Sequence, residues 1–183
     1  MTYTRDILLQ MKADWKFSDF VFFWGHTDRG NGLTKACLSQ WFPCPFVVDG
    51  QYYNCAEQYM MAEKACIFGD EEVRQQILAE YSQMAMKKLG RQVRNYDDAI
   101  WKDKRFEVVV RGNCAKFSQN EKLLRFLLST GDKILVEASP KDVVWGIGLD
   151  ELSPDAIHPH QWMGENLLGF ALMKVRDILS EEV

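Results

Sequence analysis

The chain has 183 residues, 47% of them hydrophobic and 26% charged, which is the balance of a globular protein with a real core and predicts one compact domain over residues 1–183. Its formal net charge is −4, and Lys87-Lys88 and Lys102–Arg105 are its densest basic stretches, so a polyanionic polymer is excluded as the expected partner while a small anionic metabolite is not. Aromatic residues make up 13%, with six Trp and eleven Phe, more rings than a core of this size needs, so some of them are expected to line a pocket.

In chain order, Thr4–Trp15 carries apolar residues at Ile7, Leu8, Met11 and Trp15, a helical spacing with Thr4 as N-cap. Phe20–Trp24 reads as a buried strand, and Gly25–Trp41, with Gly30 and Gly32, as a long loop of the kind that is usually functional. Phe46–Val48 and Gln51–Tyr53 flank Asp49-Gly50, which supplies the positive φ angles of a hairpin turn. Helices are then predicted at Asn54–Phe68, Glu71–Tyr81, Ser82–Leu89 with Gly90 as the stop, and from Asp98 onward, where Val108–Val110 leaves helix and strand both open. Gln119–Thr130 reads as a helix stopped by Gly131, Ile134–Glu137 as a short strand, and Gly164–Glu182 as a closing helix. The expected fold class is mainly α with a small β element (α+β).

Five cysteines without a C-x-x-C pair, an N-terminus without a secretory pattern, and apolar runs too short for a bilayer together predict a cytoplasmic protein with reduced thiols and no membrane partner. No G-x-x-x-x-G-K-[ST], G-x-G-x-x-G or G-x-S-x-G is present, and His158-Pro-His160 lacks further ligands at metal spacing.

The helix predicted at Asn54–Phe68 stands out. Glu57, Met61, Lys64 and Phe68 share one stripe, Glu57 and Lys64 falling about 20° apart on the wheel, while Tyr59, Ala62 and Cys66 occupy the opposite side. Apolar residues on both faces predict a helix buried nearly all round, one that carries a carboxylate and an ammonium into the interior. Two plain alternatives exist: Asn54-x-x-Glu57 fits a capping box, and Lys64 fits a snorkelling or ion-paired lysine. A second candidate is Glu137–Gly148, where a strand runs into a polar loop with Asp142 and then Trp145 beside two glycines, Asp142 having a turn cap as its alternative role. The third is Trp162–Gly169, a helix start at Gly164–Asn166 whose amides are placed to hold a phosphate or, alternatively, serve as an ordinary N-terminus.

Ala56-Glu57-Gln58-Tyr59-Met60, Lys64-Ala65, Leu89-Gly90-Arg91, Trp101, Gly112-Asn113-x-Ala115-Lys116-Phe117, Leu135–Pro140 with Asp142, Trp145–Leu149 and Trp162-x-Gly164-x-Asn166-x-Leu168-Gly169 occur here in one order and spacing. In that ordered set, over about Phe20 to Leu179, the chain resembles the NADAR (YbiA-like) family. It departs at Leu38-Ser39-Gln40-Trp41, where the family usually has Asn in place of Gln40. The resemblance implies an N-glycosidase that hydrolyses the C1′–N bond of phosphoribosylamino-pyrimidine intermediates of riboflavin biosynthesis. Its alternatives are an enzyme that removes ADP-ribose from guanine bases, with nucleic acid as partner only in that case, and a non-catalytic ADP-ribose or NAD-binding module.

On this reading the substrate is a small phosphorylated ribosyl compound and neither metal nor organic cofactor is required. Glu57 transfers a proton, Lys64 attacks C1′ of the opened sugar as a Schiff-base nucleophile, and Asp142 orients ribose or water. Trp101 and Trp145 stack on the base, Asn113 contacts substrate, and Lys116 with Gly164 and Asn166 holds the phosphate.

Overall fold

A computed structural model describes residues 3–12, 14–27 and 32–181 of the chain. Its elements run in the order α1 (Arg5–Met11), β1 (Phe20–Phe23), β2 (Phe46–Val48), β3 (Gln51–Tyr53), α2 (Ala56–Ile67), α3 (Glu71–Ala79), α4 (Gln83–Gly90), α5 (Asp98–Ser118), α6 (Glu121–Ser129), β4 (Ile134–Glu137) and α7 (Leu167–Ser180). Helices dominate and the strands come in two pairs, so the fold is α+β, mainly α. Contacts divide it into two compact units, Met1–Ser39 with Glu121–Val183, and Gln40–Asn120. Among the described residues no helix is long and apolar enough to cross a membrane.

In the first unit β1 and β4 pair in parallel, Phe20 opposite Ile134 and Phe23 opposite Glu137. Both strands read as continuous apolar runs because both are buried, the usual state of parallel strands. Helix α7 packs on β4 at Gly169, where a Cβ would stand 2.1 Å from the Leu135 carbonyl oxygen. Just before it, Asn166 adopts a left-handed conformation (φ 55) that a short polar side chain tolerates. Its Oδ1 accepts from the Glu137 amide (3.0 Å) and its Nδ2 donates to the Leu135 carbonyl (2.9 Å), so one side chain serves the edge of β4 that β1 leaves open. Gly169→Ala is therefore expected to destabilise the protein by about 2 kcal/mol or more, since the obstacle is backbone; chemical denaturation would check it, and an unchanged midpoint would contradict this packing.

In the second unit Asp49 (φ 50) and Gly50 (φ 79) form the hairpin turn between β2 and β3. Phe46, Tyr53 and Tyr59 make a ring cluster with centroids 5.8 Å (Phe46–Tyr53) and 5.1 Å (Tyr53–Tyr59) apart. Helix α5 reaches α2 through Gly112, where a Cβ would lie 2.3 Å from Tyr59 Cδ1. The Val108–Val110 run is helical: Asp97 caps α5 by accepting from the Ala99 and Ile100 amides, and the 21-residue helix carries the β-branched run within it.

Some boundaries differ from the sequence expectation. Helix α1 keeps Thr4 as its cap but ends at Met11, leaving Trp15 outside it. The expected loop 25–41 contains a 3-10 turn at Lys35–Leu38 that buries Ala36, Cys37 and Leu38; Gly30 lies outside the described residues. Helix α7 starts at Leu167 rather than Gly164, because Asn166 is held left-handed, and it closes at Ser180; Glu182 lies outside the described residues.

Candidate functional site

The capping-box role drawn for Glu57 goes to its neighbour. It is Gln58 whose Oε1 accepts from the Asn54 amide (2.7 Å), while its Nε2 donates to the carbonyls of Ile77, Leu78 and Glu80 at the end of α3. The N-cap of α2 is Cys55, with no side-chain cap bond. Gln58 faces α3 and Tyr59 faces α5, which leaves Glu57 on the stripe with Met61 and Lys64. Its carboxyl-bearing residue is 3% exposed, and its own amide donates to the Gln40 carbonyl (2.9 Å).

Gln40 meets a second candidate. Its Oε1 accepts from Asn113 Nδ2 (2.8 Å), which also donates to the Val109 carbonyl (2.9 Å). Asn113 is fully buried, and its Oδ1 has no hydrogen-bond partner among the described residues. The position where the chain departs from the family's usual residue thus links Glu57 to Asn113.

Helix α2 is buried from Ala56 to Ala62, but Cys66 and Ile67 are exposed, so the helix opens at its last turn. Lys64 sits there, half-buried. Its Nζ donates to the Gly90 carbonyl (2.8 Å) and stands 4.3 Å from the Tyr96 ring centroid and 5.8 Å from that of Trp101. Burial pushes the Lys64 amine below the usual lysine range, and the guanidinium of Arg91 pushes the same way. Gly90 admits this arrangement: a Cβ there would fall 2.0 Å from Met61 Sδ, the residue between Glu57 and Lys64 on the stripe. The amine is thus held by a backbone carbonyl between two aromatic rings, with its basicity lowered by partial burial. At the start of the same helix burial pushes the Cys55 thiol up to about 11, which disfavours that residue as a nucleophile.

Trp101 is 7% exposed and presents little face for a base, whereas Tyr96 is 43% exposed beside the same amine. Tyr96 is a neighbour of Lys64 that the sequence reading did not name. It lies in a turn after Asn95 (φ 57) and its hydroxyl donates to Asp98 (2.9 Å), a local context that carries no catalytic pattern.

The phosphate contacts drawn from sequence meet different surroundings. Lys116 is fully buried, its Nζ 5.0 Å from the Phe117 ring centroid and 5.8 Å from that of Phe42, so it has no exposed surface to offer an anion. Asp142, Trp145, Gly164 and Asn166 belong to the other compact unit. There the amides of Gly164, Glu165, Asn166, Leu167 and Leu168 donate to the carbonyls of Ile147, Val143, Gly146, Val144 and Trp145. A phosphate at this helix start would find those five donors engaged by carbonyls. Gly164 is there for close approach, a Cβ falling 2.2 Å from the Gly146 carbonyl oxygen. Asp142 Oδ1 accepts from the Val144 and Trp145 amides (2.9 and 2.8 Å), the turn-capping geometry; Trp145 itself is half-buried.

Relatives bear on this arrangement. N-glycosidase R617 of Acanthamoeba polyphaga mimivirus is 45% identical over 163 residues, covering 86% of this chain and 95% of that protein. N-glycosidase YbiA of Escherichia coli is 31% identical over 75% of this chain and 78% of its own length. The NMR structure of E. coli YbiA matches with a TM-score of 0.72 at 28% identity, covering 89% of this chain and 86% of that one. A riboflavin biosynthesis protein of Vibrio vulnificus is 33% identical over 79% of this chain, which spans 35% of that longer protein. The NADAR domain matches residues 22–180, through both compact units and every residue of the Glu57–Lys64 stripe, and the chain belongs to the NADAR family.

Proposed function

We propose that this protein hydrolyses the C1′–N bond of a phosphoribosylamino-pyrimidine, a small intermediate of riboflavin biosynthesis, with residues 1–183 acting as one NADAR domain. The coarser part rests on the family: an enzyme, a hydrolase of N-glycosyl bonds, as its relatives are named. The observation that carries the chemistry is a buried carboxylate and a desolvated amine on one stripe of α2, seven residues and ~10 Å of helix rise apart.

In this reading the unprotonated Lys64 Nζ adds to C1′ of the ring-opened glycosylamine. Glu57 gives a proton to the departing nitrogen, the C1′–N bond breaks, and a Schiff base links Lys64 to the ribose. Water then adds to C1′, the C1′–Nζ bond breaks, and free sugar phosphate leaves with the amine restored. Tyr96 and Trp101 flank the amine, and Gln40 with Asn113 fixes the start of α2 that presents Glu57.

The choice of a free metabolite is supported by the net charge of −4 and by basic runs too short to follow a strand. Turnover of the phosphoribosylamino-pyrimidine is expected to exceed that of ADP-ribosylated guanosine, measured side by side as released base. Between about 50 and about 200 mM salt kcat/KM is expected to fall several-fold, well short of the ~10³-fold that many phosphate contacts would give. Faster turnover of ADP-ribosylated single-stranded DNA would overturn the substrate assignment, and binding of ADP-ribose with no release of base from either compound would overturn the enzymatic one.

A further inference from the structure

The segment after Lys64 folds back along the segment after Gly90, and three contacts tie them. Lys64 Nζ donates to the Gly90 carbonyl (2.8 Å), Phe68 meets Tyr96 edge-on with centroids 5.3 Å apart, and Asp70 takes Arg94. The third is the strongest. Asp70, its side chain fully covered, accepts from the Arg94 amide (2.8 Å), from Arg94 Nε (3.1 Å) and Nη2 (2.5 Å), and from the Val73 amide (3.3 Å) at the start of α3. The Arg94 hydrogen bonds hold the Asp70 carboxyl well below the usual carboxylate range, so it is ionised throughout the working range of pH.

This clamp binds both backbone and side chain of Arg94, two residues before the Tyr96 ring and three after Arg91. Among the described residues the Gly90 carbonyl, Arg91 and the Tyr96 ring, which surround the Lys64 amine together with Trp101, therefore lie on, or at the edge of, the stretch that Asp70 anchors. Asp70 follows Lys64 by six residues, so amine and anchor hang from one end of one helix.

We infer that Asp70 and Arg94 are positioning residues for the reaction, a carboxylate–guanidinium clamp that holds residues 90–96 as a collar around the Lys64 amine. The inference rests on the proposed role of Lys64 as the attacking amine. Without the clamp the collar loosens, water reaches Nζ, and the amine returns toward ordinary lysine basicity, so less of it is unprotonated at neutral pH. The charged and titratable groups around that amine are Arg91 at the end of α4, Tyr96, and Asp98 at the start of α5, which takes the Tyr96 hydroxyl. Loosening that moves Arg91 away acts in the same direction as hydration.

The test uses the full chain with Asp70→Asn, Arg94→Ala and Arg94→Lys, and Glu72→Gln as a control that removes only the exposed Glu72–Arg94 pair (3.0 Å). Lys64 is titrated by NMR after reductive 13C-methylation, with Lys64→Arg to assign its signal, and adduct formation with the sugar substrate is trapped by borohydride at pH 7 and pH 10. In Arg94→Ala, whose folded state is checked by its melting temperature and by the spectrum of the remaining lysines, the Lys64 midpoint is expected to rise by about one unit. Trapping at pH 7 is then expected to fall on the order of tenfold and to recover at pH 10, while Arg94→Lys restores part of it and Glu72→Gln changes nothing. A lower melting temperature with an unchanged Lys64 midpoint overturns the inference, as does wild-type trapping at both pH values in Arg94→Ala. The NMR titration needs no substrate, so failure of wild-type Lys64 to trap would count against the Schiff-base reading alone.

Discussion

Lys64→Ala is expected to leave a folded protein whose turnover is lower by ~10² or more, the loss typical of removing a nucleophile or proton-transfer group. The fold should survive because Lys64 sits on the open last turn of α2 and gives up one hydrogen bond, to the Gly90 carbonyl, worth about 1 kcal/mol. The desolvation that lowers its basicity costs stability rather than adding it, so its removal brings a partial offset. Borohydride added during turnover should trap a covalent adduct on Lys64 in the wild type and none in the variant, read by mass spectrometry of the peptide that spans residues 59–67. A near-native rate in Lys64→Ala would end the Schiff-base role, whatever the stability of the variant.

Glu57→Gln is expected to keep stability within about 1 kcal/mol while the rate falls by ~10²–10⁴. The prediction is sharper than the sequence permitted, because Gln58 is the side chain that reaches back to the Asn54 amide, and Cys55 occupies the N-cap. Gln keeps the shape and removes a carboxyl group from a site that is 3% exposed, where an ionised group carries a desolvation cost. Denaturation and turnover measured on the same preparation would separate the two effects. A fully active Glu57→Gln variant would remove this residue from proton transfer and leave the amine with some other acid.

The two variants also probe different halves of the site. Glu57 lies where Gln40 and Asn113 meet the buried start of α2, and Lys64 where Gly90, Tyr96 and Trp101 meet its open end. Met61, packed on Gly90, shares their stripe of α2. Loss of rate in both variants, without matching loss of stability, is what a shared reaction centre along one helix face requires.

The amino-acid sequence by itself determined what depends on local geometry. The hairpin at Asp49-Gly50 follows from two residues that accept positive φ, β4 from an apolar run between turn signals, and the cap of α1 from Thr4. The stripe of Glu57, Met61 and Lys64 follows from helical periodicity alone, and the ordered motifs were enough to place the chain in its family. Tertiary structure decided everything that depends on which distant group arrives. Parallel pairing of β1 with β4 joins residues more than a hundred positions apart, and no local signal encodes it. The helix start at Gly164–Asn166 left an anion site and an ordinary N-terminus both open in sequence, because a helix start leaves donors unsatisfied; in the fold the amides of residues 164–168 donate to the carbonyls of residues 143–147. Lys116 entered the sequence reading as a phosphate contact, yet close packing around α5 buries it completely. Tyr96 and the Asp70–Arg94 clamp became visible only as neighbours of Lys64, because the chemistry of that amine depends on desolvation, and desolvation is a property of packed surfaces rather than of residue spacing.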